Sequence, residues 1–562
     1  MLLVLVALKL PAFVIWNHRL TSVGRREILF MNAFRDQLAT SGWRVLETMH
    51  EECGIVAGLG YGLAAMAEEE RSFVLRLPRP LHVRYLVTFY VKSVPITRKI
   101  RDLTVGAGLL ALGPAVAHAG IPIIVLCACC AAHTTYLFGW IMLQTQAALA
   151  EGGQGKATMT AVLTGSHQGY QQESDSSDGL SSDSEGSSDA SSSSGEKEKP
   201  QELPPSYESI GYQAMGLLGY VLSKVLQCLM LVGVCTIFLV LVGINAWQVE
   251  RILGIAWISK RNVILAAAAF ELIPCYFMAT VKETFLLTAL GALCSAICAV
   301  VVVAAAFTTH PGKLDGCLDG QANSWPMFTD LQGLCLCWNS VVFAFGGINV
   351  LPSLLADFHV RGVLARALVS FTWRSYLFII LIYVAVAAAG FSVGGVAMAS
   401  RKVDSNVLLG LSGCPTDKAT SSDWSLLVAY SVITLHVLLA FPVPFHSGAE
   451  TLEATLGTRE GALQPGMRGL VMRTPRLLFL GLCTTLAYTL PFFGALLDVV
   501  AAVAGQGTVF ILPVLFSIAI QWQQGMQVRF YEWVLDFVCL LVGVLGAITG
   551  LYYGVQELAA LR

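Results

Sequence analysis

The chain has 562 residues, 55% of them apolar or aromatic and only 13% charged, with a mean hydropathy of +0.67. A soluble domain carries about a quarter of its residues as charges, so a soluble globular protein is excluded. The net charge of −2 and the pI near 6.6 imply no basic face and hence no nucleic-acid partner. The fold class expected is therefore an all-α polytopic membrane protein with the lipid bilayer as its partner. The apolar runs are continuous rather than ten-residue alternations, which excludes a β-barrel.

Residues 1–102 form an N-terminal region with few landmarks. Met1–Trp16 is apolar but is interrupted by Lys9 and Pro11 and is too short to span, so it reads as an interfacial helix or as the apolar stretch of a signal peptide, for which no A-x-A-like cleavage site follows cleanly. A transmembrane helix needs about 20 mostly apolar residues. On that template eleven spans are predicted near 103–120 (interrupted), 121–143, 216–243, 262–281, 285–307, 331–355, 373–392, 424–446, 476–496, 499–522 and 533–555. They divide the chain into spans 1–2 (103–150), a loop (151–205), spans 3–11 (206–555) and a short tail (556–562). With a cytoplasmic N-terminus, the inner segments hold 26 Lys/Arg and the outer ones 8. Clusters at Arg361, Arg366 and Arg374, and at Arg459, Arg468, Arg473 and Arg476, fall on the inner side, as the positive-inside rule favours.

The 151–205 loop is a different material. Serine makes up 12 of the 21 residues from Ser174 to Ser194, interleaved with Asp175, Asp178, Asp183, Glu185 and Asp189. Such a tract buries too little apolar surface to offset its ordering entropy, so disorder is expected. It is either a passive cytoplasmic linker or a substrate: Ser182 and Ser193 each stand three residues before a glutamate, the spacing an acidophilic kinase favours. Of 15 cysteines, twelve fall within spans and read as small buried hydrophobes. Cys317 and Cys414 fall in outer loops, where oxidation is permitted, and are predicted to form a disulfide.

Enzyme motifs are absent: there is no phosphate-binding loop, no H-E-x-x-H, no paired C-x-x-C zinc site and no G-x-S-x-G. No metal or cofactor is expected. Cys335-x-Cys337 lies within a span and reads as packing. Glycine placement is more informative. Gly106-Ala107-Gly108 lies in the first span and Phe343-Ala344-Phe345-Gly346-Gly347 in the sixth. Glycine costs a helix about 1 kcal/mol per residue relative to alanine. Two such clusters five spans apart fit either small-residue packing surfaces or a 5+5 inverted repeat whose first and sixth helices are broken at mid-membrane. Broken helices present free N–H groups at one end and free C=O groups at the other, which suits a zwitterion.

Several stretches, in order, resemble the amino acid/auxin permease family of the amino acid–polyamine–organocation superfamily. They are Val105 to Leu112 (VGAGLLAL), Ser206 to Tyr212 (SYESIGY) through Gly216 with Gly233 to Cys235, and Phe343 to Gly347 followed by Leu351-Pro352. Further on come Asp404 to Gly410, Leu435 to Pro442, Phe492 to Gly494 and Ile511 to Pro513. The resemblance covers about 103 to 555 and implies the LeuT-like broken-helix fold, with an amino acid substrate between spans 1, 3, 6 and 8. Carried over by position, Gly106, Ala107 and Gly108 would bind the substrate carboxylate through backbone N–H groups. Phe343 to Gly347, including Phe345, Gly346 and Gly347, would supply carbonyls to its amino group. Phe238 stands where the family commonly has tyrosine, with Thr236 nearby. Two departures stand out. Gly113-Pro114 shifts the family's first-span proline by one residue, and Thr97 to Thr104 carries four charges where the family is largely apolar.

Ionisable groups inside the membrane are the candidates for binding a coupling ion, H⁺ or Na⁺. Asp102 precedes Gly106 by four residues, where sodium-coupled relatives often have Asn; it either binds the ion opposite Ser431 or Thr434, or bridges to Arg98 or Arg101. Glu271 is either a proton carrier or the partner of Lys224 in span 3. Asp536, near the inner end of span 11, is expected to snorkel. The function implied is secondary amino-acid transport across a plasma or vacuolar/lysosomal-type membrane, with a non-transporting sensor as the alternative. Mass mapping of free thiols is expected to find Cys317 and Cys414 alkylated only after reduction; alkylation of both without reductant would remove the disulfide.

Overall fold

The computed structural model describes residues 108–151, 206–254, 259–278, 283–308, 331–352, 363–394, 406–411, 424–464, 466–526 and 530–560. The N-terminal region, the serine loop with Ser182 and Ser193, and Asp102, Gly106, Ala107, Cys317 and Cys414 lie outside the described residues. Every element among the described residues is helical. The principal helices are α1 (Gly108–Ala119), α2 (Pro122–Glu151), α3 (Tyr207–Leu253), α4 (Lys260–Phe277), α5 (Phe285–Thr308) and α6 (Leu331–Ala344). They continue as α7 (Val363–Gly394), α8 (Trp424–Thr455), α9 (Pro475–Thr489), α10 (Phe493–Gln523) and α11 (Phe530–Ala560). Seven helical runs are long and apolar enough to cross a membrane: those within α2, α3, α7, α8, α10 and α11, and α6 with the turn that follows it.

Local chemistry sets several helix ends. Ser206 caps α3 by accepting from the Ser209 N–H at 3.3 Å, and Gly254 closes it in the left-handed region at φ 70°. The predicted span began at Gly216, but the helix starts nine residues earlier. Gly216 (φ 65°, ψ −146°) is instead a kink, which its missing Cβ permits. Near α9 the predicted boundaries also move. Pro491 cannot continue a helix and pushes the residue before it away from helical geometry. α9 therefore ends at Thr489, and α10 begins at Phe493 rather than at 499. Inside α10, residues 501–505 and 507–511 are wound as π-helix. The Thr508 carbonyl in this stretch accepts from the Tyr207 hydroxyl at 2.8 Å.

Two packing groups emerge. α1, α2, α6 and α7 pack on one another, and α3 is surrounded by α4, α8, α9 and α10, with α10 also lying against α2 and α6. α11 lies along α6 and α10 on a seam of small residues, buried at Gly543, Gly546, Gly550 and Gly554. A side chain at Gly550 would overlap the Asn339 amide, and one at Gly546 would meet Gln506 and Trp338.

Buried polar links tie the helices together. Asp536 does not snorkel: it is 2% exposed and lies 2.8 Å from His133 Nε2 of α2. Gln506 of α10 accepts from Trp338 Nε1 at 3.3 Å and donates to Asn339 Oδ1 at 2.9 Å. Ser340 donates to Asp498 at 3.3 Å.

Two arginines counted as loop charges are structural. The carbonyls that end α4 have no helical partner. Arg473 donates to Phe277 O (2.6 Å), and Arg476 donates to Met278 O (2.6 Å) and Cys275 O (3.2 Å). Arg476 is only 1% exposed and also pairs with Glu453 of α8 at 2.6 Å, with His446 accepting at 3.3 Å. One guanidinium thereby clamps α4, α8 and α9. Breaking a buried ion pair costs about 3–5 kcal/mol because the remaining charge is stranded. Arg476→Met is expected to lower the thermal stability of the detergent-solubilised protein by about that much. Arg476→Met combined with Glu453→Leu should recover part of the loss but not the α4 carbonyl contacts. Unfolding scans that show Arg476→Met as stable as the parent would refute the clamp.

Candidate functional site

α6 ends at Ala344 because Phe345 leaves helical geometry (φ −99°, ψ 10°), and the chain resumes as a 3₁₀ turn over Gly346–Val350. A break releases carbonyls from the helix ladder, and side chains from three elements meet them. The Tyr383 hydroxyl of α7 donates to Ala344 O at 2.9 Å. The Asn349 amide, from within the turn, donates to Gly346 O at 3.0 Å. The Gln227 amide of α3 donates to Asn349 O at 3.1 Å.

α1 reaches this break at its first described residue. A Cβ on Gly108 would fall on Ala344 Cα and Cβ, so glycine permits the closest approach of α1 to α6. A Cβ on Gly346 would meet only Met230 Cε, at 2.7 Å. Between α1, α3, the α6 break and Pro444 of α8 lies a cavity of about 30 Å³. That is room for about two water molecules, so the site is contracted. Gly108, Phe238, Phe343, Gly346 and Gly347 line it, together with Met230 and Asn349.

The remaining expected residues are distributed as follows. Thr236 is buried and donates to Val232 O at 2.7 Å within its own helix. The Phe345 ring stacks on Tyr376 and lies 5.2 Å from Tyr383, facing α7. On α8, Thr434 donates to Tyr430 O at 2.6 Å, and Ser431 is exposed. Glu271 is fully buried, and neither carboxyl oxygen has a hydrogen-bond partner. The pairing with Lys224 is not formed: that ammonium binds the Tyr220 hydroxyl at 3.1 Å. Glu271 lies off the cavity lining, on α4, which packs against α3 and α9. A larger open groove of about 520 Å³, lined mainly by apolar residues of α4 and α9, has no charged lining residue and no link to the break.

Sequence reasoning missed Gln227, Asn349, Met230 and Tyr383. Gln227 and Asn349 carry a signal, as uncharged amides inside apolar runs, but they fall between the stretches that bear the family resemblance.

The sequence model of a family described as "Transmembrane amino acid transporter protein" matches residues 193–556. The chain is 25% identical over 363 residues to the Arabidopsis thaliana protein named amino acid transporter AVT1J, covering 63% of this chain and 77% of that protein. The matched span of the family includes the α6 break, Gln227 and Phe238, while α1 and α2 precede it.

The glycines at the break make a paired prediction. Gly108→Ala should fail to give a monodisperse solubilised protein, because backbone and methyl atoms of Ala344 stand in the way. Gly346→Ala should remain folded, because only the flexible end of Met230 has to move. Size-exclusion profiles of the two variants provide the check, and identical profiles would contradict the geometry.

Proposed function

The chain belongs to the transmembrane amino acid transporter family, and from that membership we propose that it moves amino acids by alternating access around the interrupted α6. Family membership makes it an integral multi-pass protein of a transporter family rather than an enzyme. The observation that carries the mechanistic reading is the cavity where Gly108, Phe238 and the Phe343–Gly347 break converge. Substrate binds there, its carboxylate toward the backbone of Gly106, Ala107 and Gly108, within an eleven-span 5+5 arrangement. The group α1, α2, α6 and α7 rocks against the elements around α3. The contracted cavity supports a closed state, from which opening on either side admits solute.

The coupling ion is H⁺ rather than Na⁺, with Glu271 as its carrier and Asp102 as the second candidate. An ionised carboxylate buried without a partner costs several kcal/mol; binding a proton removes that charge. A Na⁺ site would need further oxygens, and Ser431 and Thr434 are turned to the surface and to their own helix. The membrane is vacuolar/lysosomal-type or plasma membrane.

Purified protein in proteoliposomes, given each labelled amino acid under an imposed pH or Na⁺ gradient, tests this reading. Uptake should accelerate when the outside is acidic and collapse with a protonophore. Glu271→Gln should lose the acceleration by the pH gradient while retaining gradient-independent exchange. An unaltered pH response in that variant would move the proton elsewhere. Binding without uptake by the parent protein would favour the sensor.

A further inference from the structure

The hydrogen bonds at the α6 break are lopsided. Both amides near the turn spend a donor: Gln227 Nε2 on Asn349 O and Asn349 Nδ2 on Gly346 O. Both leave their acceptor unmet. Gln227 Oε1 and Asn349 Oδ1 are buried and have no hydrogen-bond partner, in side chains only 4% and 1% exposed. Buried polar atoms are nearly always satisfied, so two unmet oxygens at one turn call for a donor from outside the protein. Asn349 is among the residues that line the cavity, and Gln227, which is not, is joined to it through the Asn349 carbonyl.

The backbone carbonyls nearby are less available. Ala344 O already accepts from Tyr383 and Gly346 O from Asn349 itself. Spare accepting capacity lies in the two side-chain oxygens. It stands just past the C-terminal end of α6, where the helix dipole adds partial negative charge. An acceptor-only ligand such as a carboxylate would meet more acceptors there; a cation rich in N–H donors would be matched. The cavity's other walls at this level, Met230, Phe238 and Phe343, are apolar and leave orientation to the amides.

We infer that Gln227 and Asn349 are substrate-recognition residues whose amide oxygens receive the ammonium group of the transported amino acid. This rests on the transport reading above and adds the atoms that read the amino end. The same oxygens suit Na⁺, so the test separates the two cations.

Full-length protein in detergent is titrated with an equimolar mixture of the twenty tritiated L-amino acids, in sodium and in choline buffers. Gln227→Met removes the acceptor and keeps the side-chain volume; Gln227→Glu removes the donor but keeps an acceptor, now charged. The inference expects Gln227→Met to weaken binding by about tenfold or more, the loss of a hydrogen bond to a charged group. Gln227→Glu should bind at least as well as the parent, and Asn349→Asp should behave like Gln227→Glu. A role confined to holding the turn predicts similar losses in both, since both Gln227 variants lose the amide donor to Asn349 O. Equal losses in the two variants overturn the inference. A Gln227→Met defect that vanishes at saturating sodium assigns the oxygens to Na⁺ and also overturns it. Uptake of the mixture into proteoliposomes is measured in parallel. Binding without uptake by the parent overturns the transport reading while the recognition step stands. Uptake with half-saturation unchanged in every variant overturns recognition and leaves transport standing.

Discussion

Lipid offers the backbone no hydrogen-bond partner, so a carbonyl released by an interruption must be met by the protein or by the contents of a polar cavity. That constraint explains why the break in α6 brings Tyr383, Asn349 and Gln227 to one place. Each belongs to a different element: α7, the turn and α3. The interruption is thus held jointly by both packing groups. The bond from Gln227 to Asn349 O crosses between them, so relative movement of the groups must remake it.

The same accounting governs the end of α4, with a different solution. There the carbonyls of Cys275, Phe277 and Met278 are met by two guanidinium groups rather than by amides or hydroxyls. Arginine suits the task because its forked donors serve several acceptors at once, and its charge favours a helix C-terminus. The contrast has a mechanical meaning. A charged, multiply bonded clamp on α4, α8 and α9 resists movement, whereas single neutral bonds at the α6 break are readily exchanged.

Much of the architecture was legible in the chain because lipid demands long apolar runs, and such runs survive without knowledge of their neighbours. The interruption of the sixth span was one of two readings that Gly346-Gly347 allowed, whereas the start of α3 was misplaced at Gly216, where the missing Cβ permits a kink rather than ending the helix. What stayed hidden depends on partners distant in sequence. His133 and Asp536 lie 403 residues apart, and nothing local marks Asp536 as paired rather than snorkelling. Arg473 and Arg476 looked like topological charges because a positive-inside count cannot tell a loop arginine from a helix cap. Glu271 and Lys224 looked like partners at similar depth, but Lys224 is turned to a tyrosine one turn away on its own helix. Gln227 and Asn349 fall between the stretches that bear the family resemblance and carry no charge, although inside a membrane an unsatisfied amide is as informative as a charge.

The wide turns of α10 set the phase of its contacts with α6. Asp498 reaches Ser340, and Gln506 reaches Trp338 and Asn339, although the two lie eight residues apart. In a regular α-helix two turns take about 7.2 residues, so an eighth residue points some 80° off the original direction. The π-wound stretch from 501 onward absorbs the surplus residue and returns Gln506 to the face that Asp498 occupies. α10 thereby acts as a vernier against α6: winding the same residues as regular α-helix would turn Gln506 about 80° away from the Asn339 amide, whereas removing one residue from the wide stretch would let a regular helix keep that contact.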